Sequence, residues 1–145
     1  MKLRIMLVDD NTPFREAMRI FLELQDNIEL VIEVTDGNAL LDMFSKDTAD
    51  VVCMDVGLHG LNGVDLTRQL LAFSPAARVV GLSGHTDLKR VAQMVEAGAL
   101  GYVVKGSDSG ELLKAIYAAS QNQSYFDSTL AINTISALKR YLIPE

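Results

Sequence analysis

Short apolar runs that alternate with helical patterns constrain the fold of this chain more than any other feature. The runs at 51–54, 79–82 and 102–104 are apolar at nearly every position instead of alternating with polar residues. Strands with this composition are buried on both faces, which requires helices on both sides of a parallel sheet. Two more strand-like runs, at 3–8 and 28–34, precede them. The sequence therefore predicts a doubly wound α/β fold with a central parallel sheet.

The segments between and after these runs carry apolar residues at spacings of three and four, as one face of an amphipathic helix does. We expect five such helices, with Thr12 as the N-cap of the first and Pro13 as its first residue. Gly98 is expected to end the fourth helix. Asp108 and Glu111 have the spacing of a capping box at the start of the fifth.

Length and composition fit one domain with an ordinary core. The chain has 145 residues, 49% hydrophobic and 22% charged. A net charge of -6 disfavours direct binding of this segment to nucleic acid. No apolar run approaches the roughly 20 residues that span a bilayer, and the first residues lack a signal-peptide pattern. We therefore expect a cytoplasmic protein without membrane contact, in which the single Cys53 is a small buried hydrophobe.

Polar residues stand at the ends of four predicted strands. Asp9 and Asp10 end the first strand, Asp55 the third, Ser83 the fourth and Lys105 the fifth. In open α/β sheets, ligands bind beyond the carboxyl ends of the strands, where the strand order reverses. If the order is 2-1-3-4-5, the three carboxylates meet there and repel one another unless a cation is present. Hard oxygen ligands of this kind suit Mg²⁺.

These side chains form a set that suits phosphoryl transfer. It contains a carboxylate nucleophile, a metal clamp, a hydroxyl donor and a fixed positive charge. A nucleotide- or flavin-binding module would carry glycines after the first strand, whereas 9–13 is acidic and has none. A phosphatase with an aspartyl-phosphate intermediate needs a second carboxylate soon after its nucleophile, and 56–59 offers none.

Several motifs of the chain, taken in their order, resemble those of a known family. Over residues 3–121, its ordered motifs closely resemble the receiver domains of two-component response regulators. These motifs are Leu7-Val8-Asp9-Asp10-Asn11, Asp55 with Gly63 eight residues later, Leu82-Ser83-Gly84, and Gly-Ala-Leu-Gly-Tyr-Val-Val-Lys at 98–105. The resemblance implies a flavodoxin-like (βα)5 fold with strand order 2-1-3-4-5.

The resemblance also assigns roles around the acidic residues. Asp55 corresponds to the phospho-acceptor, and a sensor histidine kinase is the implied donor. Asp10, Asp55 and the backbone carbonyl of Gly57 are implied ligands of Mg²⁺, while Asp9 acts mainly through water. Lys105 is implied to pair with a phosphoryl oxygen.

Two further residues are implied to carry the switch. Ser83 resembles the hydroxyl that moves to the phosphoryl group, and Tyr102 the aromatic ring that turns inward when it does. The face formed by the fourth helix, the fifth strand and the fifth helix would then change and control output, with a phosphorylation-dependent homodimer as one outcome. On this reading the chain is a regulator with Mg²⁺-dependent self-phosphorylation and autodephosphorylation, not an enzyme acting on other substrates.

The segments Leu100-Gly101-Tyr102, Lys105-Gly106 and Ser124-Tyr125-Phe126-Asp127 resemble the nitrate-regulator subfamily. Its members commonly carry a LuxR-type helix-turn-helix after the receiver, which implies a role in transcription regulation. We expect a receiver domain at 1–121 and a linker with an extra helix at 122–145, leading to a DNA-binding domain that this chain lacks. In that helix, Asp127 would be the cap and the apolar face would consist of Leu130, Ile135, Leu138 and Leu142.

The chain departs from the family pattern at a few positions. Leu58 and His59 replace the frequent Met-Pro after the acceptor, and Gly106 replaces the proline that often follows the lysine, so the cis peptide of that proline cannot be assumed there. Gly57 and His85 occupy positions that tune dephosphorylation in the family. A stand-alone receiver, or a degenerate one that acts as a constitutive protein-interaction module, is the alternative function. The presence of the whole set, Asp9, Asp10, Asp55, Ser83 and Lys105, argues against a degenerate receiver.

Overall fold

A computed structural model of the chain describes residues 2–46, 48–57, 62–84 and 88–130. Strands and helices alternate along these residues, as the apolar runs predict. The strands are β1 (Leu3–Val8), β2 (Ile28–Val34), β3 (Val51–Asp55), β4 (Val79–Ser83), β5 (Gly101–Val104) and β6 (Tyr125–Phe126). The helices are α1 (Thr12–Glu23), α2 (Leu40–Lys46), α3 (Gly63–Phe73), α4 (Leu88–Ala97) and α5 (Ser109–Ser120). A single 3-10 turn, Gly37–Ala39, leads into α2.

The strands form one sheet in the order β2-β1-β3-β4-β5-β6, and every neighbouring pair is parallel. The predicted order 2-1-3-4-5 is confirmed. Helices α2, α3 and α4 cover one face of the sheet and α1 and α5 cover the other, so two apolar layers form. The reversal of strand order lies between β1 and β3, which places their carboxyl ends side by side.

The sixth strand was not predicted, because its two residues follow a polar break and carry no strand pattern of their own. The chain turns back after α5 at Asn122, which has a φ of 59°. Tyr125 then pairs with Gly101 in β5. A methyl group on Gly101 would lie 2.7 Å from the carbonyl oxygen of Tyr125, so the absent side chain lets the two backbones approach.

The helix boundaries confirm some predicted caps and correct others. Thr12 is not the N-cap of α1: Asn11 has the extended backbone of a cap, and its Oδ1 accepts the N–H of Phe14 at 3.1 Å. Asparagine ranks above threonine as a cap, and Pro13 therefore moves to the second helical position. Gly98 ends α4 as predicted, with a φ of 112° and the N–H of Ala99 bonded to Met94 O at 2.9 Å.

At the start of α5 only half of the predicted capping box forms. Asp108 is the N-cap and accepts the N–H of Gly110 at 2.8 Å. The carboxylate of Glu111 instead accepts bonds from Tyr125 and Ser128. These donors come from the C-terminal segment, whose return to the sheet was not foreseen.

Three other expectations can be compared with the structure. Burial raises the pKa of the Cys53 thiol to about 12, which fits an inert core residue. Among the described residues no helix has the length and apolar character needed to cross a membrane. No cis peptide occurs in the described ranges. Of the predicted helix after Asp127, Leu130 is described and buried, while Ile135, Leu138 and Leu142 fall in 131–145, outside the described residues.

Candidate functional site

The carboxyl ends of β1 and β3 bring three aspartates together. Val8 lies opposite Met54 in the register, so Asp9 and Asp55 follow at the same edge of the sheet. One carboxylate oxygen each from Asp9, Asp10 and Asp55 lies within 4.8 Å of the others. Asp9 and Asp55 are buried, and Asp10 is exposed. We call these three residues the acidic cluster; in the described part of the chain it is the only group of three such side chains close enough to share a metal ion.

The end of β3 lies close to the start of α3. The N–H of Gly57 donates to Asp55 Oδ1 at 3.0 Å, and the N–H of Gly63 donates to Val56 O at 3.2 Å. A methyl group on Gly63 would lie 2.2 Å from the carbonyl oxygen of Asp55. Glycine at 63 is therefore required for α3 to begin directly beside the acidic cluster.

Lys105 connects the cluster to β5. Its Nζ lies 2.7 Å from Asp9 Oδ2 and 3.2 Å from Asp55 Oδ2. Its backbone N–H donates to Ser83 O at 2.7 Å, which fixes the end of β5 to the end of β4. The ammonium also lies 4.8 Å from the ring centroid of Phe14 in α1, a cation–π contact.

Among the described residues, the ammonium of Lys105 is shared between the carboxylates of Asp9 and Asp55, which leaves this buried pair with a net negative charge. Burial raises the pKa of the Asp9 carboxyl, and the nearby charge of Asp55 acts in the same direction. The hydrogen bonds from Lys105 and from the backbone of Asn11 oppose the rise without cancelling it. The pocket therefore favours an additional positive charge.

Mg²⁺ fits the donor set of the acidic cluster. The three side chains offer only hard oxygen atoms, and the exposure of Asp10 leaves room for water ligands, which Mg²⁺ retains. The structure places Gly57 beside Asp55 through its N–H; the role of its carbonyl as a ligand stays a prediction.

The two predicted switch residues lie on neighbouring strands. Ser83 is buried at the last position of β4, beside the end of β3. Tyr102 is fully buried in β5, where its partner in β4 is Gly81. A methyl group on Gly81 would lie 3.0 Å from Tyr102 Cδ2 and 3.1 Å from Met94 Cε, so the ring packs between the sheet and α4. The predicted movement of Ser83 and Tyr102 stays a prediction.

The structure thus brings Asp9, Asp10, Asp55 and Lys105 together as expected, and sets Ser83 at the adjacent strand end. The loop residues Leu58, His59 and His85 lie outside the described residues.

Three residues of the site were missed. Phe14, an apolar residue of the first helix, was given no role in the site, although its ring contacts Lys105. Arg15 is buried and donates from Nη1 to the carbonyl oxygen of Asp9 at 2.9 Å. Glu33 pairs with Arg15, and the sequence did carry a signal for it, because a lone acid stands among Val31, Ile32 and Val34.

Comparison with known proteins agrees with this geometry. The family model described as the response regulator receiver domain matches residues 5–117. The chain belongs to this family. This receiver is 31% identical to the transcriptional regulatory protein DegU of Brevibacillus brevis over 139 residues, 96% of this chain and 59% of that protein. It is 32% identical to the nitrate/nitrite response regulator protein NarP of Escherichia coli (strain K12), over 85% of this chain and 57% of that protein.

Solved structures give the same result. The crystal structure of a LuxR-family two-component response regulator from Aurantimonas sp. SI85-9A1 superposes with a TM-score of 0.84 and 30% identity, covering 99% of this chain and all of that one. The receiver domain of a response regulator NarL from Mycobacterium tuberculosis superposes with a TM-score of 0.78 and 28% identity, covering 84% and 98%. The receiver spans about six-tenths of the length of the curated relatives it matches.

Proposed function

We propose that this receiver is a phosphorylation-dependent signalling switch in which Asp55 accepts a phosphoryl group from a sensor histidine kinase. The observation that carries this proposal is the convergence of three carboxylates and one ammonium at the reversal of strand order. Among the three acids, Asp55 is the one that ends the central strand β3 and contacts both Lys105 and the N–H of Gly57.

The transfer itself requires one oxygen of Asp55 as the nucleophile. This oxygen forms a bond to phosphorus while the bond between phosphorus and the imidazole nitrogen of the donor histidine breaks, and the imidazole leaves with the electron pair. Lys105 already contacts the Asp55 carboxylate and would stabilise the charge of the transferring group. Mg²⁺, bound by Asp10, Asp55 and the carbonyl of Gly57, with Asp9 acting through water, would supply further positive charge there.

Formation of the acyl phosphate would bias an equilibrium between two conformations. We infer that Ser83 moves to the phosphoryl group and that Tyr102 follows, which changes the face formed by α4, β5 and α5. Ser83 accepts the backbone N–H of Lys105, and Tyr102 lies in β5, the strand that Lys105 follows. Hydrolysis of the acyl phosphate would reset the switch.

For the output, we propose transcription regulation in the cytoplasm. DegU and NarP are named as a transcriptional regulator and a response regulator, and this chain covers about six-tenths of each. We propose that 1–121 form the receiver domain and that 122–145 lead to a helix-turn-helix domain. A phosphorylation-dependent homodimer is the proposed active form; solved structures of RcsB, related by fold, include dimers bound to DNA.

Acetyl phosphate with Mg²⁺ tests the acceptor directly. We expect intact-mass analysis to show one added phosphoryl group on the wild type and none on Asp55→Asn, because an amide oxygen cannot form the acyl phosphate. Asp36→Asn, an exposed acid after β2 at the same edge of the sheet, is the matched control and should be labelled like the wild type. Equal labelling of Asp55→Asn would contradict the assignment, and an unlabelled wild type would favour the degenerate receiver.

A further inference from the structure

Arg15 is a buried cation that the proposed transfer does not use. Only 8% of its surface is exposed. Arginine is almost never buried without partners, and here the guanidinium has two. Nη1 donates to the carbonyl oxygen of Asp9 and Nε donates to Glu33 Oε1, both at 2.9 Å.

The bond to Asp9 acts on the peptide group that joins two members of the acidic cluster. Because a peptide group is planar, a hydrogen bond to its oxygen restrains ψ of Asp9 and φ of Asp10 together. The adjacent contacts restrain the same loop: Asp9 N–H donates to Val34 O at 3.1 Å and Asn11 N–H donates to Asp9 Oδ1 at 2.8 Å. Arg15 thus limits the directions that both carboxylates can take.

Glu33 fixes the guanidinium in place. It lies in β2 opposite Leu7, one position before the strands end, and its Oε2 also lies 3.2 Å from Nε of Arg19. The charge of Glu33 compensates that of Arg15, so the pair adds little net potential to the cluster. The Arg15–Glu33 pair therefore acts on the acidic cluster mainly by orienting its backbone, and less by its charge.

We propose that Arg15, held by Glu33, is a positioning residue that orients Asp9 and Asp10 for binding Mg²⁺. This inference rests on the proposed function, since it assigns a role toward the cation of that site. Groups that orient the ligands of a metal commonly change metal affinity by about 10–100-fold when they are replaced.

Calorimetric titration of the metal-free chain with Mg²⁺ tests the inference. We expect Arg15→Met to raise the dissociation constant about tenfold. Arg15→Lys should also weaken binding, because a lysine ammonium cannot reproduce the planar fork that holds both partners. Wild-type affinity in Arg15→Lys would show that charge alone matters and would overturn the positioning role.

Arg19→Met is the matched control. Arg19 lies on α1 like Arg15 and also pairs with Glu33, but within the described structure it is not bonded to Asp9. Its Mg²⁺ affinity should stay within about twofold of the wild type, as expected for a half-exposed substitution. An equal loss in Arg19→Met and Arg15→Met would assign the effect to general packing of α1 and overturn the inference.

Two further readouts separate the possible results. The amide ¹⁵N–¹H signal of Asn11, which reports its bond to Asp9, should shift in metal-free Arg15→Met and Arg15→Lys but not in Arg19→Met.

If Arg15→Met does not fold, Glu33→Gln replaces it. We expect this variant to lose about threefold in Mg²⁺ affinity, because a neutral amide bonds Arg15 more weakly than a carboxylate does. Unchanged Mg²⁺ affinity in Glu33→Gln would then overturn the inference. A wild type that binds no Mg²⁺ would overturn the proposed function as well, whereas unaltered affinity in folded Arg15→Met would overturn this inference alone.

Discussion

Carboxylates are buried at two places near β5, and the protein holds them in different ways. In the acidic cluster, Asp9 and Asp55 share the ammonium of Lys105, and Asp10 adds a third negative charge close by. Burial raises the pKa of Asp9. Ionising this group in the folded protein therefore costs stability unless a further cation arrives.

The second place, which we call the C-terminal anchor, consists of Glu111 and Asp127 with their donors in 104–130. Asp127 accepts four hydrogen bonds of 2.6 to 2.9 Å, from Val104 N–H, the Ser107 hydroxyl, Thr129 N–H and the Thr129 hydroxyl. Burial alone would raise the pKa of Asp127, but these bonds together lower it. The N–H of Ser128 lowers the pKa of Glu111 in the same way, aided by the Tyr125 hydroxyl.

Burial by itself does not set the direction in which the pKa of an aspartate shifts, since Asp9 and Asp127 are both buried and shift in opposite directions. The hydrogen-bond donors around the carboxylate decide the direction. The C-terminal anchor supplies enough donors for its carboxylates, so their ionised forms stabilise the fold. Among the described residues, Asp9 and Asp55 each have one backbone N–H donor and share the ammonium of Lys105, and this smaller supply favours an added cation.

The largest expected effect comes from removing the central carboxylate of the anchor. Asp127→Ala removes all four bonds to this carboxylate and leaves the half-buried N–H of Val104 without its acceptor, so we expect the free energy of unfolding to fall by about 3 kcal/mol. Urea unfolding measures it. Asp108→Ala, which removes an exposed N-cap carboxylate, is the control, with an expected loss of about 1 kcal/mol. If Asp127→Ala lost no more stability than Asp108→Ala, the carboxylate of the C-terminal anchor would not be stabilising the fold through its donors, and the contrast with the acidic cluster would fail.

Removing the charge of a buried aspartate in the acidic cluster should act in the opposite direction. Without Mg²⁺, we expect Asp9→Asn to raise the free energy of unfolding by about 1 kcal/mol, because it removes a buried like charge. Mg²⁺ at about ten times its dissociation constant should stabilise the wild type by roughly 1.4 kcal/mol and this variant less. The isosteric Asp127→Asn is the control and should be less stable than the wild type in both conditions. A metal-free Asp9→Asn that is clearly less stable would contradict the shortage of donors.

The dependence of stability on pH should separate the two places further. The folded pKa values of Asp127 and Glu111 lie below their ordinary values of 3.8 and 4.5. Their contribution is therefore present above those values and is lost as the pH falls through the folded pKa values. The pKa of Asp9 is raised above 3.8, so its contribution is present below 3.8 and is lost as the pH rises through the folded value.

It follows that Asp127→Asn should flatten the acid part of the stability curve and Asp9→Asn should steepen it, when metal-free protein is unfolded thermally at a series of pH values. Curves that change in the same direction for both variants would be inconsistent with the opposite pKa shifts.

The smallest expected effect concerns the ring beside Lys105. Phe14→Leu keeps an apolar side chain but removes the cation–π contact, and we expect a loss of about 0.5 kcal/mol in the free energy of unfolding. A double-mutant cycle with Lys105→Met isolates this contact, and Phe73→Leu, at an exposed ring on α3, should show no coupling to Lys105. Equal coupling for both phenylalanines would assign the effect to side-chain size.

The acidic cluster could be predicted from sequence because its position follows from topology. Strand ends of a parallel sheet meet at one edge, so Asp9, Asp55 and Lys105 were located without knowledge of their side-chain contacts. Arg15 and Glu33 could not be paired in this way. Their contact depends on how far α1 rotates over β2, and neither residue stands at a strand end.

The anchor was missed for a related reason. A strand of two residues has no periodicity, and β6 forms because Gly101 admits the backbone of Tyr125. Glu111 was assigned to a capping box on its spacing alone, whereas the Tyr125 hydroxyl and the Ser128 N–H that it accepts stand 14 and 17 positions later in the chain. Local spacing is informative about helix ends only when no distant donor competes for the same carboxylate.

The C-terminal anchor also sets the place from which the chain continues past Leu130. Asp127 is bonded to Val104 and Ser107, the residues on either side of the Lys105–Gly106 step, and its own N–H donates to Tyr102 O at 2.9 Å. We expect a shift of the turn that carries Lys105 to move Asp127 through these side-chain and backbone hydrogen bonds, and with it the end of the described chain. We expect displacement of Leu130, whose N–H donates to Asp127 O, to report the state of the pocket.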